Sequence, residues 1–107
     1  MSIQEISTIA EFKKLVTEND KVMVKCFAKW CGPCKALGPR FQAIAAQNAS
    51  SGVTFAAIDV DASGKLPSLL RVVGLPTVIS IRKGKEKSRV QGVNFPKINS
   101  MLTALKE

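Results

Sequence analysis

Cys31 and Cys34 are separated by two residues in the stretch MVKCFAKWCGPCK at positions 23–35, a spacing that permits a particular chemistry. The apolar run ending at Phe27 reads as a strand and Pro33 opens a helical pattern, so Cys31 lies at the junction and Cys34 on the first helical turn. Side chains placed this way sit one turn apart on the same side and can close a small disulfide ring. A helix start carries unpaired N–H groups and about half a positive charge, and both stabilise a thiolate. The thiol nearest that end, Cys31, is expected to move from a free pKa of about 8.5 towards neutrality, where it becomes a usable nucleophile. Gly32 lets another backbone approach closely, and Pro33 presets helical φ. The pattern suits a reversible dithiol.

Other uses of the pair weigh less. A structural zinc ion needs four ligands, but the chain has no histidine and one further cysteine, so zinc would require carboxylates or a second chain. A purely structural disulfide closing so short a loop would stabilise little, and it would be unusual in a reducing compartment. Chance core cysteines would not be bracketed by Trp30, Gly32 and Pro33. Redox chemistry is the favoured reading. The third cysteine, Cys26, reads as an inert core thiol, because strand alternation turns it away from the face of Lys25.

Lys25 itself is out of place in an apolar run from Val22 to Phe27. Its stem is expected to be buried and its amine to lie beneath the dithiol, within reach of Asp59. The competing expectation is a lysine that snorkels to solvent.

The surrounding elements alternate. Thr8 and Glu11 form a capping-box pattern, after which Phe12, Leu15 and Val16 share a helical face. Val22–Phe27 reads as a central strand covered on both faces. Pro33 to about Asn48 is a helix containing Pro39, which should kink it, and Val53–Val60 is the next strand. A short helical turn over 66–71 leads to Leu75-Pro76-Thr77. Strands at 77–81 and 88–91 flank a turn at Gly84, and Pro96 opens a last helix with Ile98, Met101, Leu102 and Leu105 on one face. Helical connections early and a hairpin late imply one α/β domain over residues 1–107, a mixed sheet with helices on both faces.

With 46% apolar and 22% charged residues the composition is that of an ordinary globular chain, and no apolar run reaches the roughly 18 residues of a membrane span. The start, MSIQEIS, has neither a basic head nor a continuous apolar segment, so an intracellular, cytoplasmic protein is expected. The net charge of +8 could attract acidic partners. Its densest stretch, RKGKEKSR at 82–89, interleaves no aromatic residue on which a base could stack, and reads as a solvated hairpin remote from the dithiol. Neither a nucleic-acid nor a membrane partner is expected.

WCGPCK at 30–35, Pro39, IDVD at 58–61, GLPT at 74–77, Gly84 and Gly92 together resemble the thioredoxin family over nearly the whole chain. The resemblance implies a central mixed five-stranded sheet flanked by four helices. It also implies a general protein-disulfide reductase, monomeric and without a bound cofactor, recharged by an NADPH-dependent flavoprotein thioredoxin reductase and acting on disulfide-containing proteins. Carried over by position, Cys31 is the attacking thiol and Cys34 the resolving one, the two forming the redox disulfide. Trp30, Gly74, Leu75, Pro76, Gly92 and Val93 hold the substrate chain, with the Leu75–Pro76 bond cis. Asp61 holds the Trp30 indole. The chain departs from the family at Lys25, where a buried aspartate is usual, at Ala57, where a charged partner is usual, and at Phe27, where many members have Trp. A disulfide oxidase or isomerase on the same frame, and a binding module using the same surface, remain alternative readings.

Overall fold

A computed structural model describes residues 3–107, and its element order is β1 (Ile3–Glu5), α1 (Ile9–Glu18), β2 (Lys21–Phe27), α2 (Gly32–Gln47), β3 (Val53–Asp59), α3 (Leu66–Leu69), β4 (Thr77–Arg82), β5 (Lys85–Gln91) and α4 (Phe95–Lys106). The five strands form one sheet in the order β1-β3-β2-β4-β5. The pairs β1–β3 and β2–β3 are parallel, and β2–β4 and β4–β5 antiparallel. The strand and helix counts match those implied by the resemblance.

The apolar pattern sets the layers. β2 is central, and Val22, Met23, Val24 and Cys26 are fully buried because helices cover both of its faces. On one face Met23, Phe55 and Val78 pack against Leu37 and Phe41 of α2 and Ile98 and Met101 of α4. On the other, Val22, Val24, Cys26, Ile58 and Ile79 pack against Leu15 of α1 and Leu66 of α3. The capping box forms as read, with the Thr8 side chain accepting from the Glu11 N–H at 3.0 Å and the Glu11 carboxylate accepting from the Thr8 N–H. Pro39 lies inside α2, as expected.

Two strands differ from the sequence reading. β1 has three residues, too few for a periodicity, and exists because β3 offers it an edge in parallel register, Ile3 opposite Phe55 and Glu5 opposite Ala57. β5 starts at Lys85, three residues earlier than Ser88, despite the unfavourable sequence KEK. The cause is the turn: Lys83 and Gly84 have φ of 52° and 78°, the left-handed pair of a two-residue hairpin, so pairing resumes at once with Arg82 opposite Lys85.

Candidate active site

α2 begins where the chain leaves β2, and its N-cap residue is Cys31. The Cys31 Sγ accepts the backbone N–H of Cys34 at 3.3 Å, so a sulfur occupies the place usually held by a serine or aspartate oxygen. Cys31 and Cys34 are joined as a disulfide, with their Cα atoms 5.3 Å apart. An N–H already aimed at Cys31 stabilises the thiolate that reduction exposes. Pro33 in the first turn needs no partner for a missing N–H. Both cysteines are nearly buried, at 4% and 7% exposed, and pack with Ala28, Phe27, Val60 and Leu75.

Cys31 opens into a largely apolar groove of about 460 Å³. Trp30, Gly32, Pro33, Gly74 and Leu75 line it. Val60, Pro67, Val72 and Val73 line it too and were not singled out from the sequence. A signal for two of them was present: Val72 and Val73 directly precede GLPT.

Trp30 is 71% exposed and its indole N–H donates to Asp61 Oδ2 at 2.6 Å, which fixes the ring at the groove's edge. Asp59 has a different task from the one expected. Its Oδ1 accepts the Asp61 N–H at 3.0 Å, and its carbonyl accepts the Ser63 hydroxyl at 2.8 Å, so it shapes the turn that presents Asp61. No ion pair joins Asp59 to Lys25 among the described residues.

The Leu75–Pro76 bond is cis. Pro76 is buried, and its carbonyl accepts the Gly92 N–H at 2.7 Å, which ties Gly92 and Val93 to the end of the groove without making either of them a wall. Gly92 has φ of +93°, a conformation that favours glycine. The Thr77 hydroxyl donates to the Gly74 carbonyl at 2.6 Å, and a Cβ added at Gly74 would overlap the Gln91 side chain.

The basic hairpin is less remote than expected. Its turn is solvated, but the Arg89 guanidinium donates to the carbonyls of Leu70 at 2.8 Å and Arg71 at 3.1 Å, directly before Val72 in the groove wall. Glu86 holds the same guanidinium at 2.7 Å, and that bond keeps the Glu86 carboxyl below its usual range.

Lys25 is half-buried, with its Nζ 5.0 Å from the Phe27 ring centre and 5.6 Å from that of Phe41. Burial lowers its pKa, and the charge that opposes this is Glu5, not Asp59. Lys25, Ala57 and Glu5 occupy one row across β2, β3 and β1, and the small Ala57 lets the two charges sense each other. Cys26, fully buried on the opposite face, has its thiol pushed up to about 12 by burial, which the Arg89 charge offsets in part. Among the described residues no group of three or more His, Cys, Asp or Glu side chains gathers where a metal could sit.

A sequence model of the thioredoxin family matches residues 4–104. Among curated proteins, the thioredoxin of Mycoplasma pneumoniae is 36% identical, with 84% of this chain and 86% of the relative covered. Thioredoxin-1 of Schizosaccharomyces pombe is 31% identical, with 95% and 97% covered. The X-ray structure of Fasciola hepatica thioredoxin superposes with a TM-score of 0.90 at 34% identity, covering 95% of this chain and 98% of that one.

Proposed function

The chain belongs to the thioredoxin family and is a thiol–disulfide oxidoreductase with protein-disulfide reductase activity, and from that premise we propose how its residues divide the work and what supplies its electrons. One observation carries the assignment: two sulfurs meet at the start of a long helix, and one of them opens into an apolar groove. The Cys31 thiolate attacks a sulfur of a substrate disulfide, and a mixed disulfide forms as the other substrate sulfur leaves. Cys34 then attacks Cys31, which closes the internal disulfide and releases the reduced substrate. Gly32 and Pro33 set the first turn that makes Cys31 the cap. Trp30, Gly74 and Leu75, with Val72 and Val73, hold an extended substrate segment, while Pro76, Gly92 and Val93 shape the end against which it lies.

Sulfur carries both electrons, so the reaction needs no bound cofactor. An NADPH-dependent flavoprotein thioredoxin reductase supplies the electrons, disulfide-containing proteins receive them, and the protein acts as a monomer. These assignments draw on the family to which the chain belongs. A cytoplasmic location suits a dithiol that must be kept reduced between turnovers, and subcellular fractionation of the expressed protein checks it.

The experiment for the residue roles is trapping. With dithiothreitol as electron donor the wild-type chain should reduce a protein disulfide, and Cys34→Ser should accumulate a mixed disulfide through Cys31. An adduct through Cys26, or none, overturns the assignment. A second reading, an oxidase or isomerase, is favoured by the half-buried cation of Lys25 on the α2 side of the sheet, since a cation stabilises the thiolates of the reduced form and so makes the couple a stronger oxidant. A reduction potential close to about −270 mV keeps the reductase reading, and one close to about −120 mV replaces it.

A further inference from the structure

Lys25 is the one charged side chain in the interior of β2, and the exchange steps above leave it without a task. Its Nζ lies 3.7 Å from the point where a Cβ on Gly38 would stand. Gly38 follows Cys34 by four residues in α2, so the two positions share a helix face, roughly 5–6 Å apart at Cβ. The amine therefore occupies the notch left by a missing side chain, one turn below the buried sulfur of Cys34. Phe27 links the two, since its ring packs on the Cys31–Cys34 cluster and also receives the lysine amine.

We propose that Lys25 is a positioning residue of the dithiol, its ammonium lying one helical turn beneath Cys34 and stabilising that sulfur as a thiolate when it resolves the mixed disulfide. The proposal rests on the exchange reading given above. Burial lowers the Lys25 pKa, and two aromatic faces and the Glu5 carboxylate on β1 work against that loss to hold the ammonium in place. The remaining titratable groups near this face are otherwise engaged. Asp59 of β3 accepts the Asp61 N–H, Lys21 of β2 donates to the Lys106 carbonyl, and Arg40 of α2 stacks on Phe95. Val78 of β4 and the buried Ile98, Met101, Leu102 and Leu105 of α4 do not titrate.

The step balances without a further reactant. Cys34 releases its proton to solvent, its thiolate forms a bond to Cys31 Sγ, and the bond from Cys31 to the substrate breaks. The substrate sulfur leaves as a thiolate and takes up a proton, so two electrons pass from the dithiol to the substrate. Lowering the Cys34 pKa by about one unit raises its thiolate about tenfold near neutrality and costs about threefold in nucleophilicity, a net gain of about threefold in resolution.

The test titrates Cys34 by ultraviolet thiolate absorbance in a Cys31→Ser background carrying Lys25, Lys25→Met or Lys25→Arg. The methionine variant should raise the Cys34 pKa by about one unit and the arginine variant should restore it; an unmoved Cys34 overturns the proposal. With Cys31 present, Lys25→Met should lengthen the lifetime of the mixed disulfide about threefold at neutral pH. Should Lys25→Met fail to fold, the Lys25 Nζ of the native chain is titrated by NMR in both redox states. Linkage requires a higher value in the reduced protein once Cys34 is ionised, and equal values overturn the proposal. Intact protein-disulfide reduction with a Cys34 indifferent to Lys25 removes this inference alone, whereas a wild-type chain unable to reduce a protein disulfide removes the exchange reading and this proposal with it.

Discussion

Cys31 and Cys26 are almost equally hidden, at 4% and 0% exposed, yet they sit in opposite chemical surroundings. Cys26 lies mid-strand between Val24 and Ile58, without a polar partner, and the cost of burying a charge pushes its thiol up to about 12. Cys31 caps a helix, accepts an N–H and faces a groove. Burial alone does not decide thiol reactivity here. What decides it is whether the backbone offers donors to the sulfur, as it does where β2 gives way to α2.

The contrast is broken or sharpened most strongly by alkylation of the reduced protein. At neutral pH a thiol with a pKa of about 12 is ionised to about one part in 10⁵, so Cys26 should label at least a thousandfold more slowly than Cys31. Comparable rates, read by peptide mass analysis, would abolish the distinction. Turnover follows: Cys31→Ser should lose roughly a thousandfold or more of the reductase activity, and Cys26→Ala should keep nearly all of it at a temperature where both are folded.

The pH dependence of stability gives a smaller effect of definite sign. Cys26 binds its proton more tightly folded than unfolded, so its contribution is fully present below about pH 8.5 and is lost as pH rises towards 12. The wild type should lose stability relative to Cys26→Ala with a slope approaching about 1.4 kcal/mol per pH unit in that window, as measured by denaturant titration at several pH values. Taking the difference cancels the opposite slope from Lys25, whose lowered pKa relieves a burial cost as pH rises. Parallel curves would mean that Cys26 meets water. The smallest effect is expected at the rim: Asp61→Ala removes an exposed hydrogen bond to Trp30, should cost about 0.5–1 kcal/mol of stability, and should raise KM for a protein disulfide more than it lowers kcat.

Local rules made much of this legible in the sequence. The capping box, the α2 and α4 apolar faces and the short path from Cys31 to Cys34 all depend on residues within a turn or two of one another. What escaped depended on partners far along the chain. β1 became a strand through β3, β5 gained three residues from the geometry of its turn, and Arg89 reached the groove loop only because β5 runs past the end of α3.

The sequence alone determined the dithiol, because cysteine spacing and a helix start act over six consecutive residues, WCGPCK. It also determined that Lys25 and Cys26 face opposite ways, since a strand turns successive side chains to opposite faces. Tertiary structure decided which carboxylate acts on Lys25. Asp59 looked suitable by position in the sequence, but its oxygen is taken by the Asp61 N–H, and parallel register across β2, β3 and β1 supplies Glu5 instead. That register is a property of the assembled sheet. Charges act through space, so a residue twenty positions away in sequence becomes the lysine's electrostatic neighbour.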